Sequence, residues 1–120
     1  MNQEKFIELI KSEVEQPAID GVIKSLEKPA GRQPEKSLVE MSIWFNKLNG
    51  EEKQQIARII QLSVTQSIFG FLAVIDGVAS ILESSEDDDP TLKLIYIDTK
   101  NEVLLNDPEE EFLHDIYRSI

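Results

Sequence analysis

The chain has 120 residues, no cysteine and one histidine. The absence of cysteine excludes disulfide bridges, thiolate metal sites and cysteine nucleophiles. With one histidine, the familiar constellations of acid and base catalysis lack members, so we expect a protein that is not an enzyme. A glycine-rich phosphate loop is also missing from the sequence. We therefore expect neither a cofactor nor a bound metal.

The N-terminus lacks the basic and apolar segments of a secretory signal, and an amphipathic pattern starts almost at once. We therefore expect a cytoplasmic protein. The longest uncharged run, 59–75, falls short of the roughly 20 apolar residues of a membrane span and contains Gln61 and Gln66. This run predicts a core helix and no membrane partner.

Negative charge is concentrated in the second half of the chain. Residues 1–60 carry 9 Lys/Arg against 10 Asp/Glu, whereas residues 61–120 carry 3 against 13, which gives the net charge of -11. Charge of this sign repels nucleic acid and attracts basic proteins. We expect no nucleic-acid partner and a surface in the C-terminal half that binds a basic protein.

Apolar periodicity predicts an α+β fold that is mainly helical, in a single domain over 1–120. The expected architecture is a helical bundle around a long central helix, followed by a C-terminal β-hairpin and a final helix. The first helix covers about 3–15, and Pro17 restarts the chain as a second helix. The third helix is expected to bury a stripe of apolar residues, Leu38, Met41, Phe45 and Leu48.

The remaining elements follow from local signals. Asn49 and Glu52 have the spacing of a capping box, which predicts the start of the central helix, and its apolar repeat continues to Leu82. The period then changes to 2, which predicts a hairpin whose turn places Asn101 in the left-handed region. Asp107 and Pro108 predict the start of the final helix.

Acidic residues near the hairpin are the candidate partner-binding site. Two sets are involved: Glu86, Asp87, Asp88 and Asp89 in the loop before the first strand, and Asp98 and Glu102 at the hairpin tip. The loop lacks the ligand spacing and turn glycine of an EF-hand, so a solvated acidic loop is favoured over a cation site. We expect replacement of Asp87, Asp88 and Asp89 by Asn to slow association with a basic partner.

Four other residues form a candidate pocket: Arg32, Trp44, Asp76 and His114. If the fold brings Arg32 to Asp76, a charge-assisted hydrogen bond would fix the proline-bounded connector that contains Arg32. The alternative to this structural role is that Arg32 binds an anion in a pocket beside Trp44, although Trp44 itself is expected in the core. His114 is expected at the edge of an apolar stripe, and Asp115 points about 100° away around the helix.

One set of short segments resembles small uncharacterised acidic bacterial proteins of the immunity-protein kind. The segments are Gly31-Arg32, Trp44-Phe45, residues 67–72, Asp76-Gly77, residues 105–108 and residues 112–115. The resemblance covers most of the chain but contains no active-site motif. It implies a compact acidic antidote or adaptor that occludes a basic partner, for instance a toxin.

Two alternatives come from other classes of protein. The unpaired hairpin edge would suit a homo-oligomeric structural or adaptor protein, with a homodimer formed through that edge. A small enzyme would need His114 and Arg32 in one cleft.

Overall fold

The structure is a computed structural model that describes residues 1–78 and 91–120. The chain folds into two compact units, which we name unit 1 (Met1–Ser12 with Gln66–Ile120) and unit 2 (Glu13–Thr65). The predicted fold class is confirmed, since the chain is mainly helical, contains one long helix, and ends with a two-stranded hairpin and a final helix. The single domain stays a prediction.

The first two helices, α1 (Gln3–Ile10) and α2 (Gln16–Glu27), are joined by the π-helical turn Lys11–Glu15. Asn2 caps α1 by accepting from the Lys5 amide at 2.8 Å. The predicted second helix is confirmed, with Pro17 in its first turn, but no break in the helical backbone precedes it, because Glu15 keeps helical dihedrals. A proline ring clashes with the carbonyl four residues earlier in an α-helix, and the wider π turn relieves that clash.

Unit 2 contains α2 and α3 (Lys36–Asn46), which pack against each other. Ile19 and Leu26 are its buried residues on α2, and Phe45 is the buried aromatic residue on α3. The Asn46 amide donates to the carbonyl oxygens of Leu26 at 3.4 Å and Glu27 at 3.0 Å, so α3 satisfies carbonyls that the end of α2 leaves free.

The predicted stripe of α3 is rotated in the structure. Ser42 is buried beside Phe45, whereas Met41 is exposed. The Ser42 hydroxyl lies 3.3 Å from the Asn46 amide nitrogen, and this bond allows a polar residue on the inner side. The prediction that Trp44 is a core residue is also wrong, since 53% of it is exposed.

The long helix α4 (Gly50–Ile75) begins with the capping box predicted from sequence. Asn49 accepts from the Glu52 amide at 2.8 Å, and Glu52 accepts from the Asn49 amide at 3.0 Å. The helix ends before Gly77, whose φ of +79° is a left-handed conformation that favours glycine. Only Leu72 and Ala73 are buried on α4. The predicted continuation of this helix to Leu82 is wrong from Asp76 onwards, and residues 79–82 lie outside the described residues.

The hairpin consists of β1 (Ile95–Ile97) and β2 (Glu102–Leu104), which pair antiparallel. The predicted change to a period of 2 is confirmed, since Leu94 packs against the core of unit 1 whereas Ile95 and Ile97 are exposed. The turn differs from the prediction, because no residue other than glycine has positive φ in the described part of the chain. Asp98 shapes the turn instead, by accepting from the amides of Lys100 at 2.8 Å and Asn101 at 2.6 Å.

The final helix, α5 (Leu113–Ser119), starts later than predicted. Asp107 and Pro108 lie in a turn, where Asp107 accepts from the Glu109 amide at 3.0 Å, and the N-cap position of α5 is Phe112. An Asp-Pro pair satisfies a turn as readily as a helix start, so the local signal could not distinguish them.

The core of unit 1 lies where α1, α4 and α5 meet. Its buried members are Ile7, Leu72, Leu113, Ile116 and Tyr117, with Leu94 of the hairpin segment packed against them. This core fixes the hairpin, which carries Asp98 and Glu102, and the start of α5, which carries His114.

Candidate functional site

Asp76 and His114 form a buried polar contact in unit 1. The Asp76 Oδ2 atom lies 2.6 Å from His114 Nδ1 and accepts from the His114 backbone amide at 2.9 Å. The Asp76 side chain is 0% exposed and that of His114 is 12% exposed. Charge-assisted hydrogen bonds of this length are strong in a dry environment, so the pair ties the end of α4 to α5.

Asp76 caps α5 from a distance of 38 residues along the chain. The N-cap residue Phe112 has no side chain that can accept a hydrogen bond. The first amides of a helix have no partner within the helix, and the carboxylate of Asp76 supplies an acceptor to one of them. The sequence hypothesis paired Asp76 with Arg32; the described partner of Asp76 is His114.

Aromatic rings enclose the imidazole of His114. The Phe69 ring meets it edge-on at 5.4 Å and the Phe112 ring stacks on it at 5.5 Å between centroids. Arg118 Cζ in turn lies 3.9 Å from the centre of the Phe69 ring. These rings exclude water from the pair and thereby strengthen its electrostatic interaction.

Both ring nitrogens of His114 face carboxylates. The Nε2 atom lies 3.4 Å from Oδ1 of Asp115, a carboxylate that is 59% exposed. The expectation that Asp115 points away from His114 is therefore wrong, because a rotated side chain covers the angle between neighbouring helix positions. The imidazole of His114 is therefore held between a buried carboxylate, that of Asp76, and an exposed one, that of Asp115.

One atom of the pair has no described partner. Asp76 Oδ1 is buried and makes no hydrogen bond among the described residues. A buried carboxylate oxygen left unpaired costs free energy, so the geometry around Oδ2 must compensate for it. Asp76 is consequently a residue on which unit 1 depends strongly.

Arg32 and Trp44, the other two candidate pocket residues, belong to unit 2, whereas Asp76 and His114 belong to unit 1. Arg32 is exposed in the connector beside Gly31, whose φ is +91°. Trp44 is exposed on α3. The described contacts thus join two of the four candidate pocket residues, Asp76 and His114.

The hairpin tip carries the two partner-binding candidates that the structure describes. Asp98 and Glu102 are both exposed. Hydrogen bonds from the Lys100 amide, and then from the Asn101 amide, lower the pKa of Asp98 because they stabilise its charged form. Asp98 therefore has a structural role in the turn, and Glu102 is the freer of the two to meet a partner.

The other predicted partner-binding residues, Glu86, Asp87, Asp88 and Asp89, lie outside the described residues. Nothing in the described part of the chain bears on their arrangement. Within that part, no group of three or more His, Cys, Asp or Glu residues is placed to hold a metal ion.

A second acidic set, the acidic turn, was missed as a candidate. It consists of Asp107, Glu109, Glu110 and Glu111. Because α5 begins at Leu113, these charges precede the helix and do not lie in its first turn. Among the described residues, none of the three glutamates has a Lys or Arg within ion-pair distance.

Asn106 places the acidic turn beside the open end of the hairpin. Its side-chain amide donates to the carbonyl oxygens of Ile75 at 2.7 Å and Leu92 at 2.8 Å, and its Oδ1 accepts from the Leu94 amide at 2.8 Å. This one side chain thus joins the end of α4 to the segment that leads into β1. Asn106 precedes Asp107 and Pro108 in what reads as an ordinary turn sequence. No local signal therefore indicates that its side chain joins the end of α4 to the segment before β1.

The outer face of the hairpin is apolar. Ile95 is 40% exposed and Ile97 is 69% exposed, and the register places them opposite Leu104 and Glu102 on the same face. We name Ile95, Ile97 and Leu104 the hairpin face. Apolar residues bounded by charge form the usual centre and rim of a protein interface.

The helix α4 is more exposed than its apolar sequence predicts. It is long and apolar enough to cross a membrane by length and composition, and 11% of the relevant 18-residue window is buried. The predicted core helix is therefore corrected to a helix with two buried residues, because its apolar residues are spread around several sides. By length and composition alone, a single helix of this kind is weak evidence for a membrane span.

No family model, no curated protein and no solved structure matches this chain.

Proposed function

We propose that this chain is an acidic protein-binding module that occludes a basic protein partner. The observation that carries the proposal is the position of the acidic turn at the open end of the hairpin, where Asn106 is hydrogen-bonded to the segment that leads into β1. Unneutralised acids raise the association rate with a basic partner, and apolar residues such as Ile97 determine how slowly the complex dissociates. A basic toxin, such as a nuclease, belongs to this class of partner.

The charge distribution between the units supports the proposal. Unit 1 contains 15 Asp/Glu against 5 Lys/Arg, a net charge of -10, whereas unit 2 contains 8 against 7, a net charge of -1. A protein that is acidic only for solubility has no need to place nearly all of its net charge in one unit. A partner-binding surface in unit 1 accounts for this distribution.

The test compares two triple variants that remove the same charge. In the first, Glu109, Glu110 and Glu111 become Gln, whereas in the control the exposed residues Glu13, Glu40 and Glu51 of unit 2 become Gln. Both variants and the parent chain are tagged and used to capture proteins from extracts of the native host, at low and at high salt. The captured proteins are identified by mass spectrometry and purified for kinetics.

We expect the parent chain and the control to retain the same basic protein. The acidic-turn variant should associate with it about tenfold more slowly at low ionic strength, and the difference should shrink as salt rises. An equal association rate for all three chains at low salt, or a retained partner that is itself acidic, would contradict the proposal.

A further inference from the structure

The hairpin is a sheet of two strands in the described residues, and β1 has no second neighbour there. The Leu105 amide donates to the Leu94 carbonyl at 2.8 Å, and the Asp98 amide donates to the Asn101 carbonyl at 2.9 Å. Hydrogen-bonded pairs alternate along an antiparallel ladder, so the pair Tyr96 and Val103 is bonded as well. The amide and carbonyl groups of Ile95 and Ile97 therefore point away from β2.

Such an edge is a template for another strand. An isolated two-stranded hairpin is marginal in water, and an exposed edge is usually protected by inward-pointing charge, proline or a covering element. The outward-pointing backbone groups of β1 belong to Ile95 and Ile97, which are both apolar and exposed. Neither proline nor a charged residue occurs within Ile95–Ile97.

We propose that an extended, basic segment of the partner adds to the edge of β1 as a third strand. This inference rests on the proposed function and names the form in which the partner binds. Main-chain hydrogen bonds to Ile95 and Ile97 would supply affinity, and alternate side chains of the added strand would cover the hairpin face. Lysine or arginine on that strand would meet the acids around the hairpin.

Charge favours such a partner over a second copy of this chain. A symmetric dimer through β1 would bring two copies of unit 1 together, each with a net charge of -10. Two like-charged surfaces repel, whereas a basic segment gains from the same field. Of the four charged residues on the hairpin segment itself, two are lysines (Lys93 and Lys100) and two are acids (Asp98 and Glu102), so the attraction arises from the acidic turn beside it.

The test uses the full chain with a synthetic probe, a capped peptide of seven residues in which lysine and valine alternate. The same peptide with glutamate in place of lysine is the control. Binding is measured by calorimetry, and amide hydrogen exchange is followed by NMR at Ile95 and Ile97 on the β1 edge. Glu102 and Leu104, on the opposite edge, are the internal reference.

We expect the lysine peptide to bind and to slow exchange of the Ile95 and Ile97 amides by about tenfold, with little change at Glu102 and Leu104. Ile97→Pro removes one outward-pointing donor from the β1 edge, so it should weaken binding of the lysine peptide. The exchange measurement on the parent chain decides the matter even if a proline variant fails to fold.

Three results would overturn the inference, and they separate it from the proposed function. Binding of the lysine peptide without protection of Ile95 and Ile97 contradicts strand addition and leaves the acidic binding module standing. No binding, or equal binding of the glutamate peptide, contradicts both. Protection that rises with protein concentration in the absence of peptide shows that a second copy occupies the edge.

Discussion

The two compact units differ both in secondary structure and in charge, since unit 1 contains the hairpin and nearly all of the net negative charge, whereas unit 2 is helical and almost neutral. The sequence divides into halves with net charges of -1 and -10, and the same values return for unit 2 and unit 1 although the boundaries differ. The reason is that residues 1–12, which join unit 1, contain two acids and two bases, and residues 61–65, which join unit 2, contain no charge. The asymmetry is therefore a property of folded units.

The units also differ in what holds them together. Unit 2 relies on apolar packing around Phe45 and on neutral hydrogen bonds from Asn46. Unit 1 has its own apolar core and adds a buried ionisable contact between Asp76 and His114. A buried charge is costly unless it is paired. The stability of unit 1 therefore depends strongly on one side chain, that of Asp76.

The substitution Asp76→Ala should have the largest effect and would sharpen this comparison. It leaves the His114 ring and the backbone amide of His114 without their acceptor. Loss of one partner of a buried pair costs about 3–5 kcal/mol, so we expect a fall of this size in the free energy of unfolding of unit 1, measured by urea denaturation with amide exchange in α5.

The matched control is Asp115→Asn, which removes the other carboxylate near His114. Asp115 is more than half exposed, so its removal should change the free energy of unfolding by less than about 0.5 kcal/mol. Equal effects for Asp76 and Asp115 would show that burial of the pair does not stabilise unit 1.

Two asparagines allow the units to be compared directly. Asn106 bonds the carbonyl of Ile75 in unit 1, and Asn46 bonds the carbonyl of Glu27 in unit 2. Each asparagine makes three hydrogen bonds, but those of Asn106 are 2.7–2.8 Å long and use both ends of its amide, whereas two of those from Asn46 are 3.3–3.4 Å long and all three share one nitrogen. Asn106→Ala should therefore cost about 2–3 kcal/mol and Asn46→Ala about 1 kcal/mol. Both values come from urea denaturation, and the reverse order would contradict the view that Asn106 joins more of its unit.

The smallest effect concerns pH and the hairpin turn. The pKa of Asp98 is lowered in the folded state, so its contribution to stability is present above the pKa of an unfolded aspartate, about 3.9, and is lost as pH falls through the lowered value. In an NMR titration, the chemical shifts of the Lys100 and Asn101 amides should be constant at about pH 5 and should change only below about pH 4. In Asp98→Asn this acid transition should be absent, and a midpoint above the ordinary aspartate value would contradict the expectation.

Features set by neighbouring residues were predictable from the sequence. The capping box of Asn49 and Glu52 and the hairpin both depend on contacts within a few positions. The start of α5 was not predictable in this way, because Asp107 makes a local bond to Glu109 that suits a turn. Local signals fix where the chain bends more reliably than which element follows.

The candidate site was only half predictable. Asp76 and His114 were both identified as notable, since one ends an uncharged stretch and the other is the only histidine. Their contact spans 38 positions, and no periodicity within either helix encodes it. Apolar content also overstated the burial of Trp44 and of α4, because a stripe indicates which side faces inward and not whether another element covers it.

The capping of α5 by Asp76 has a consequence for the order of folding. A helix of seven residues is far below the length that is stable alone in water, and its own sequence supplies no cap. The contact that caps α5 joins Asp76 to His114 across 38 positions. Closing a loop of that length is slow compared with forming a local turn. α5 should therefore become helical only after the end of α4 is in place, so the helicity of α5 would report late steps in the folding of unit 1.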